Sequence, residues 1–198
     1  MPLFTDEAGQ RLEAASHALG ERYAGDLVFI GGLAVAAHAA ANTLTRAYAL
    51  SAHDGDVMVS LAGFGDLRDD EELTPTRRSS KHEFSKDGLR FGVYVEHQHR
   101  LPVPAGNLLA AGTTAGPFPV AAPEHLLVLK CAVAVDRQGT RQGTKDRATS
   151  CVCCCARTLH TSAGSHRFSR RSTARSSTRL GILTSSGSRT ETPTRPRR

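Results

Sequence analysis

Apolar positions recur along the first three quarters of this chain with two alternating periods. Leu12, Ala15 and Leu19 repeat at helical spacing behind Thr5-Asp6-Glu7, whose cap and acids suit a helix start. Gly25-Asp26 interrupts the pattern, and Leu27–Ile30 reads as a short apolar strand. Leu33–Ala41 is an alanine-rich helix, whereas Asn42–Ser51 follows neither period. Asp56–Leu61 predicts a second strand, and Asp66–Leu73 a short acidic helix ended by Thr74-Pro75-Thr76. His82-Glu83-Phe84 leads into Asp87-Gly88, a two-residue hairpin turn. In the returning strand Leu89, Phe91, Val93 and Val95 share one face, and Arg90, Gly92, Tyr94 and Glu96 the other. Phe118–Val120 predicts a short strand, Pro123-Glu124 opens the apolar helix Leu126–Val135, and Lys145-Asp146 opens another. Helices interspersed with a hairpin-bearing mixed sheet indicate an α/β or α+β fold.

The periodicity stops after Asp146. Serine, threonine, arginine and cysteine then dominate, a composition that buries too little apolar surface to order itself. The expected division is therefore a domain over 1–147 and a low-complexity, disordered tail over 148–198. Two origins for the tail stand. With GC-rich codons, regrouping Arg147–Ala156 by one base restores an amphipathic Arg-Asp-Leu-Val-Arg-Leu-Leu-Leu-Arg stretch, so the tail reads as out of frame. The other reading is a basic arm whose Arg167, Arg170, Arg171, Arg175 and Arg179 meet RNA phosphates.

Charge changes the picture only once it is divided. The net +6 of the 198 residues comes from the tail: ten of the 25 basic residues but one of the 19 acidic ones lie beyond Arg147. Residues 1–147 thus carry 15 basic and 18 acidic side chains, which argues against nucleic-acid binding through bulk charge alone. No apolar run approaches the roughly 18 residues of a membrane span. The N-terminus lacks the pattern of a signal peptide, so a cytoplasmic protein is expected. Four of five cysteines crowd into Cys151-Val152-Cys153-Cys154-Cys155, without the paired spacing of a zinc site.

The candidate chemistry gathers where Val28-Phe29-Ile30 meets Gly31-Gly32. A glycine pair between strand and helix lets phosphates approach the backbone at a helix N-terminus. Asp54 and Asp56, two apart at the start of the next strand, point to one face and can converge on one cation. Carboxylates suit Mg²⁺ (or Mn²⁺), with phosphates completing the shell. Asp54-Gly55 also reads as a plain turn with Asp56 in solvent; the upstream glycine pair favours the metal reading. Lys130 interrupts Leu126–Ala132. Because an unpaired buried ammonium is costly, it either snorkels outward or points into a cleft at a phosphate or carboxylate.

Strand, glycine pair, helix and Asp-x-Asp strand together resemble the nucleotidyltransferase superfamily with the DNA polymerase β-type fold, over roughly residues 20–147. Gly31-Gly32-Leu33-Ala34-Val35-Ala36-Ala37-His38 is most similar to its AbiEii-type toxin branch. The resemblance implies a nucleotidyltransferase-like mixed sheet flanked by helices. It also implies metal-dependent transfer of a nucleoside monophosphate from an NTP to an RNA or protein acceptor, within a toxin–antitoxin pair that includes a cognate antitoxin. Asp54 and Asp56 would then be the catalytic metal ligands. Gly31, Gly32 and Ser51 would lie near the phosphates, and Lys130, on its Pro-Glu-led helix, near the active site.

Three departures qualify that expectation. The acid expected between apolar residues near position 92 is Gly92. Glu96, on the same face two rungs further along, either substitutes for it or is a solvated strand end. The gap from Gly32 to Asp54 is long, so Ala47–Ala52 is an extra strand or an insertion. Lys145-Asp146 matches a family element whose continuation breaks. The alternative function is a catalytically impaired member of the fold that binds a nucleotide or a partner.

Overall fold

The computed structural model describes residues 2–49, 52–78 and 81–168, with side chains outside 76–81 and 156–168. Helix α1 (Glu7–Arg22) is capped by Asp6, whose carboxylate accepts the Gly9 N–H at 3.0 Å. Strand β1 (Leu27–Ile30) is buried along its length and runs directly into α2 (Gly31–Ala41), so the helix begins at the glycine pair itself. Between α2 and β2 (Gly55–Val59) lies a single 3₁₀ turn (Arg46–Tyr48), and no extra strand occurs among the described residues of that stretch.

Helix α3 spans Leu61–Asp69, five residues earlier than the acidic pattern indicated. Ser60 explains the shift, since its Oγ accepts the Gly63 N–H at 2.9 Å and starts the helix straight after β2. Thr74-Pro75-Thr76 is not a mere helix stop: β3 (Thr74–Arg78) is the outermost strand, where proline's missing donor is tolerated. Strands β4 (Lys81–Lys86) and β5 (Leu89–Val95) form the expected hairpin, with both Asp87 and Gly88 at positive φ. A short helix α4 (Ala105–Ala110) and strands β6 (Thr113–Thr114) and β7 (Pro119–Val120) follow. Helices α5 (Pro123–Asp136) and α6 (Arg141–Phe168) complete the described chain. Helix α6 passes through the boundary expected at 147–148; residues 169–198, with four of the arginines named for a basic arm, lie outside the described residues.

The strands form a mixed seven-stranded sheet in the order β3-β4-β5-β2-β1-β7-β6. Strand β2 is central, antiparallel to β1 and parallel to β5. One core unites both faces, with Phe29, Phe91 and Phe118 fully buried and Phe29 within 4.9 Å of Phe118, centroid to centroid. Burying such rings supplies about 1.5–3 kcal/mol each. The mixed α/β fold is the one the hydrophobic pattern predicted. No helix among the described residues is long and apolar enough to cross a membrane.

Candidate active site

The sheet register builds the site. Because β1 and β2 are antiparallel, the last residue of β1, Ile30, pairs with Asp56 near the start of β2. The next residue, Gly31, takes φ +78°, a left-handed conformation natural to glycine. A Cβ placed there would lie 2.7 Å from Oδ2 of Asp56 and 3.1 Å from its Cβ. The glycine therefore makes room for the carboxylate. Gly32 differs, since a Cβ there would meet nothing within 4 Å. It borders open space above the start of α2, a helix whose N-cap, Ile30, provides no side-chain cap for the first-turn N–H groups.

Asp54-Gly55 is not a turn of the Asp-Gly kind. Gly55 belongs to β2 and is absent from the residues of positive φ. Its lack of a side chain serves Phe91, whose ring would be 2.5 Å from a Cβ. Asp54 and Asp56, the Gly31-Gly32 pair and Lys130 all line one cleft of about 650 Å³. Five of the seven residues singled out from sequence thus converge.

The other two do not join them. Ser51 lies outside the described residues. Glu96 sits at the wrong end of β5. Gly92 is the residue opposite Asp56, and β5 runs parallel to β2, so four further residues carry the chain roughly 13 Å away. Glu96 donates its N–H to Val59, at the far end of β2, and its carboxylate faces His97 at 3.8 Å. Among the described residues no group of three or more His, Cys, Asp or Glu is placed to hold a metal, and of the three carboxylates singled out from sequence only Asp54 and Asp56 line the cleft.

Sequence reading missed much of the opposite wall. Lys130 neither snorkels freely nor waits alone. Its Nζ lies 3.5 Å from Oδ1 of Asp146, whose Oδ2 lies 3.4 Å from Arg137. Asp146 is buried, with a side chain only 4% exposed, and its two cationic partners offset its desolvation. Arg100, Lys145 and Tyr94 also face the cleft. The signals were present but indirect: an apolar helix bearing one lysine, and an Asp sixteen residues on, in the second turn of α6. Arg100 carries no local signal, because the turn after β5 delivers it. The His38 that ends the glycine motif is structural; it is buried and bonds the Ala121 carbonyl through Nε2 at 2.9 Å.

Four cations (Arg100, Lys130, Arg137, Lys145) and four carboxylates (Asp54, Asp56, Asp136, Asp146) border the cleft, so its formal charge is close to zero. Two carboxylates on one wall fit a single hard divalent cation that keeps waters and takes phosphate oxygens for the rest of its shell. They do not fit a site that needs three acids.

No protein-family model matches the chain, and no curated protein matches its sequence. Among solved structures, an antigenic nucleotidyltransferase-like protein from Paracoccidioides brasiliensis aligns with a TM-score of 0.49 at 15% identity, covering 77% of this chain and 78% of that one.

Proposed function

We propose that this protein is a nucleotidyltransferase that moves a nucleoside monophosphate from an NTP to an acceptor hydroxyl, breaking the α–β phosphoanhydride bond and releasing pyrophosphate. The observation that carries the reading is the shared space of Gly31 and Asp56. A left-handed glycine is set against a carboxylate at the mouth of an uncapped helix, with Asp54 in the same cleft. That arrangement offers hydrogen-bond donors for phosphates beside a cation-binding pair.

Asp54 and Asp56 would hold one Mg²⁺ or Mn²⁺, which when bound neutralises phosphate oxygens and orients them. The chain's own residues do the rest of the positioning. The first-turn amides of α2 would meet the phosphates, and Gly32 leaves the approach clear. Lys130 and Arg137 bring positive charge to the opposite wall, held there by Asp146. The acceptor expected from the AbiEii-type resemblance is an RNA end or a protein hydroxyl. A labelled-NTP assay with Mg²⁺ and both acceptor classes tests the reading. Transfer should depend on Asp56, falling by roughly 10³-fold or more in Asp56→Ala, on the scale of losing preorganised electrostatic stabilisation. Transfer that is indifferent to that change overturns the assignment.

One observation favours the second reading, a nucleotide-binding protein with impaired catalysis: Gly92 lies directly opposite Asp56, where a third acid would reach the site. Nucleotide binding without transfer is its signature.

A further inference from the structure

His99 closes the turn that follows β5. Its Nδ1 accepts the Val95 N–H at 2.9 Å, while the Val95 carbonyl accepts the N–H groups of Gln98 and His99 at 3.2 Å each. The turn reverses through His97, which takes φ +64°. The His99 ring packs edge-on against Tyr94, with centroids 5.4 Å apart, and against His82 of β4 at 6.2 Å. Immediately beyond it, Arg100, Leu101 and Pro102 line the cleft, as does Tyr94. One imidazole therefore fixes the point at which β5 hands the chain over to the cleft wall.

The bond has a required protonation state. An imidazole nitrogen accepts only when it carries no hydrogen, so the ring must be neutral, with its proton on Nε2. Protonation places a second N–H at Nδ1, facing the Val95 N–H, and the acceptor becomes a donor. Histidine is the side chain whose ordinary titration falls between about pH 5 and 8. The titratable and charged neighbours are His82 on β4, Tyr94 on β5, and Glu96, His97 and Arg100 in and around the turn. Of these only Glu96 is a carboxylate, and it faces His97.

We propose that His99 is a positioning residue that makes the Arg100–Pro102 wall of the cleft sensitive to pH: the neutral ring holds the wall in place, and the protonated ring releases it. The link to ligand binding rests on the nucleotide reading above; the state of the turn does not.

The experiment uses the full chain and two readouts between pH 8 and pH 5. The first is NMR of the Val95 amide and the His99 ring nitrogens. The Val95 amide should shift and lose exchange protection with the same midpoint as the His99 Nδ1 signal. A Val95 amide that stays unchanged while His99 protonates overturns the proposal. The second is affinity for Mg²⁺-ATP. It should fall roughly tenfold across the range in the natural chain, the scale of one partly buried hydrogen bond turned to repulsion. His99→Asn presents an oxygen where Nδ1 stood and does not titrate; it should keep the neutral-pH affinity and lose most of the acid fall. The nucleotide's own phosphate protonates in this range, and the variant shares that background. An equal acid fall in His99→Asn overturns the coupling. If no nucleotide binds at any pH, the function proposed above fails, and the Val95 amide alone decides the switch.

Discussion

A Cβ atom at Gly31 would lie 2.7 Å from Oδ2 of Asp56, so the glycine and the carboxylate depend on the same space. Gly31→Ala should therefore do two things. Backbone strain at φ +78° alone costs about 1–2 kcal/mol, and the methyl group must push the carboxylate aside. Gly32→Ala should leave stability within about 1 kcal/mol, because its Cβ enters open space, yet weaken nucleotide binding by crowding the approach to α2. Thermal melts together with nucleotide titrations separate the two glycines; equal stability losses would contradict the asymmetry.

Restoring an acid opposite Asp56 is the direct test of the impaired reading. Gly92 pairs with Asp56 across β2 and β5. If the site lacks one carboxylate, Gly92→Asp should raise Mg²⁺-dependent transfer, whereas Glu96→Gln, altering a residue on a distant rung, should leave it unchanged. Loss of transfer in Glu96→Gln would show that β5 has been read in the wrong register.

The cleft's balanced charge predicts that nucleotide and metal bind together. With four cations against four carboxylates, an NTP gains little net attraction on its own. A divalent cation on Asp54 and Asp56 tips the balance. Chelation with EDTA should weaken ATP binding by at least about tenfold, and Asp54→Asn should weaken the Mg²⁺ dependence. Titration calorimetry with and without metal measures both, and ATP affinity unaffected by chelation would argue against the aspartate pair.

Away from the cleft, acid should loosen the tie between α1 and the chain before β3. Asp70 is buried, which alone would raise its pKa. The Tyr23 hydroxyl at 2.5 Å, the Glu72 N–H and Arg22 more than offset that and hold it below the ordinary value of 3.8. A depressed carboxylate contributes stability that is present above the unfolded pKa and lost as pH falls through the folded one. The contribution should therefore be full at neutral pH and disappear below about pH 4. Tyr23, raised by burial and then by its bond to Asp70, behaves in the opposite sense, and its contribution fades above about pH 10. Asp70→Asn should cost about 2 kcal/mol at pH 7 and less near pH 3. This is below the usual figure for breaking a buried pair, because Arg22 is half exposed and keeps Glu72. Chemical denaturation across pH measures it; a cost independent of pH would rule out the charge as its source.

The cysteines of α5 and α6 should divide by burial. Cys131, Cys151, Cys154 and Cys155 are exposed, while Cys153 lies in the core and its thiol is pushed up to about 12 by burial. At pH 8 an alkylating reagent should modify the four quickly and Cys153 only upon unfolding. Mass mapping of the native chain checks this, and rapid labelling of Cys153 would mean that this part of α6 does not dock as described.

Local chemistry made some features legible and long-range geometry hid others. Asp87-Gly88 announces its turn because both residues adopt positive φ, and the strand into Gly31-Gly32 is visible because the apolar run and the glycines are contiguous. Helix α3 was misplaced because Gly63 and Gly65 weaken its start, while the Ser60 cap that overrides them is a single bond. Whether Glu96, two rungs along the same face from Gly92, could substitute for the missing acid was undecidable from sequence, because only the Asp56–Gly92 register fixes its height relative to the aspartates. Asp146 was visible as part of a motif, but its pairing with Lys130 depends on how α6 turns back on α5. The buried positions of α6 also bear on the tail. Thr149 and Cys153 face inward, and the Thr149 hydroxyl returns its bond to the Lys145 carbonyl at 2.8 Å. In the regrouped reading frame aspartate falls at 149 and leucine at 153, so Cys153→Leu should be tolerated or stabilising.

The central place of β2 in the sheet gives the cleft unequal jaws. Asp56 rides on a strand flanked on both sides, which opens only when much of the molecule does; Lys130 and Asp146 ride on α5 and α6, outside the sheet and packed against each other. In hydrogen–deuterium exchange the β1–β2 amides should be nearly silent on ligand addition. The response should fall on α5, α6 and the turn carrying Arg100, marking which half of the mouth does the biting.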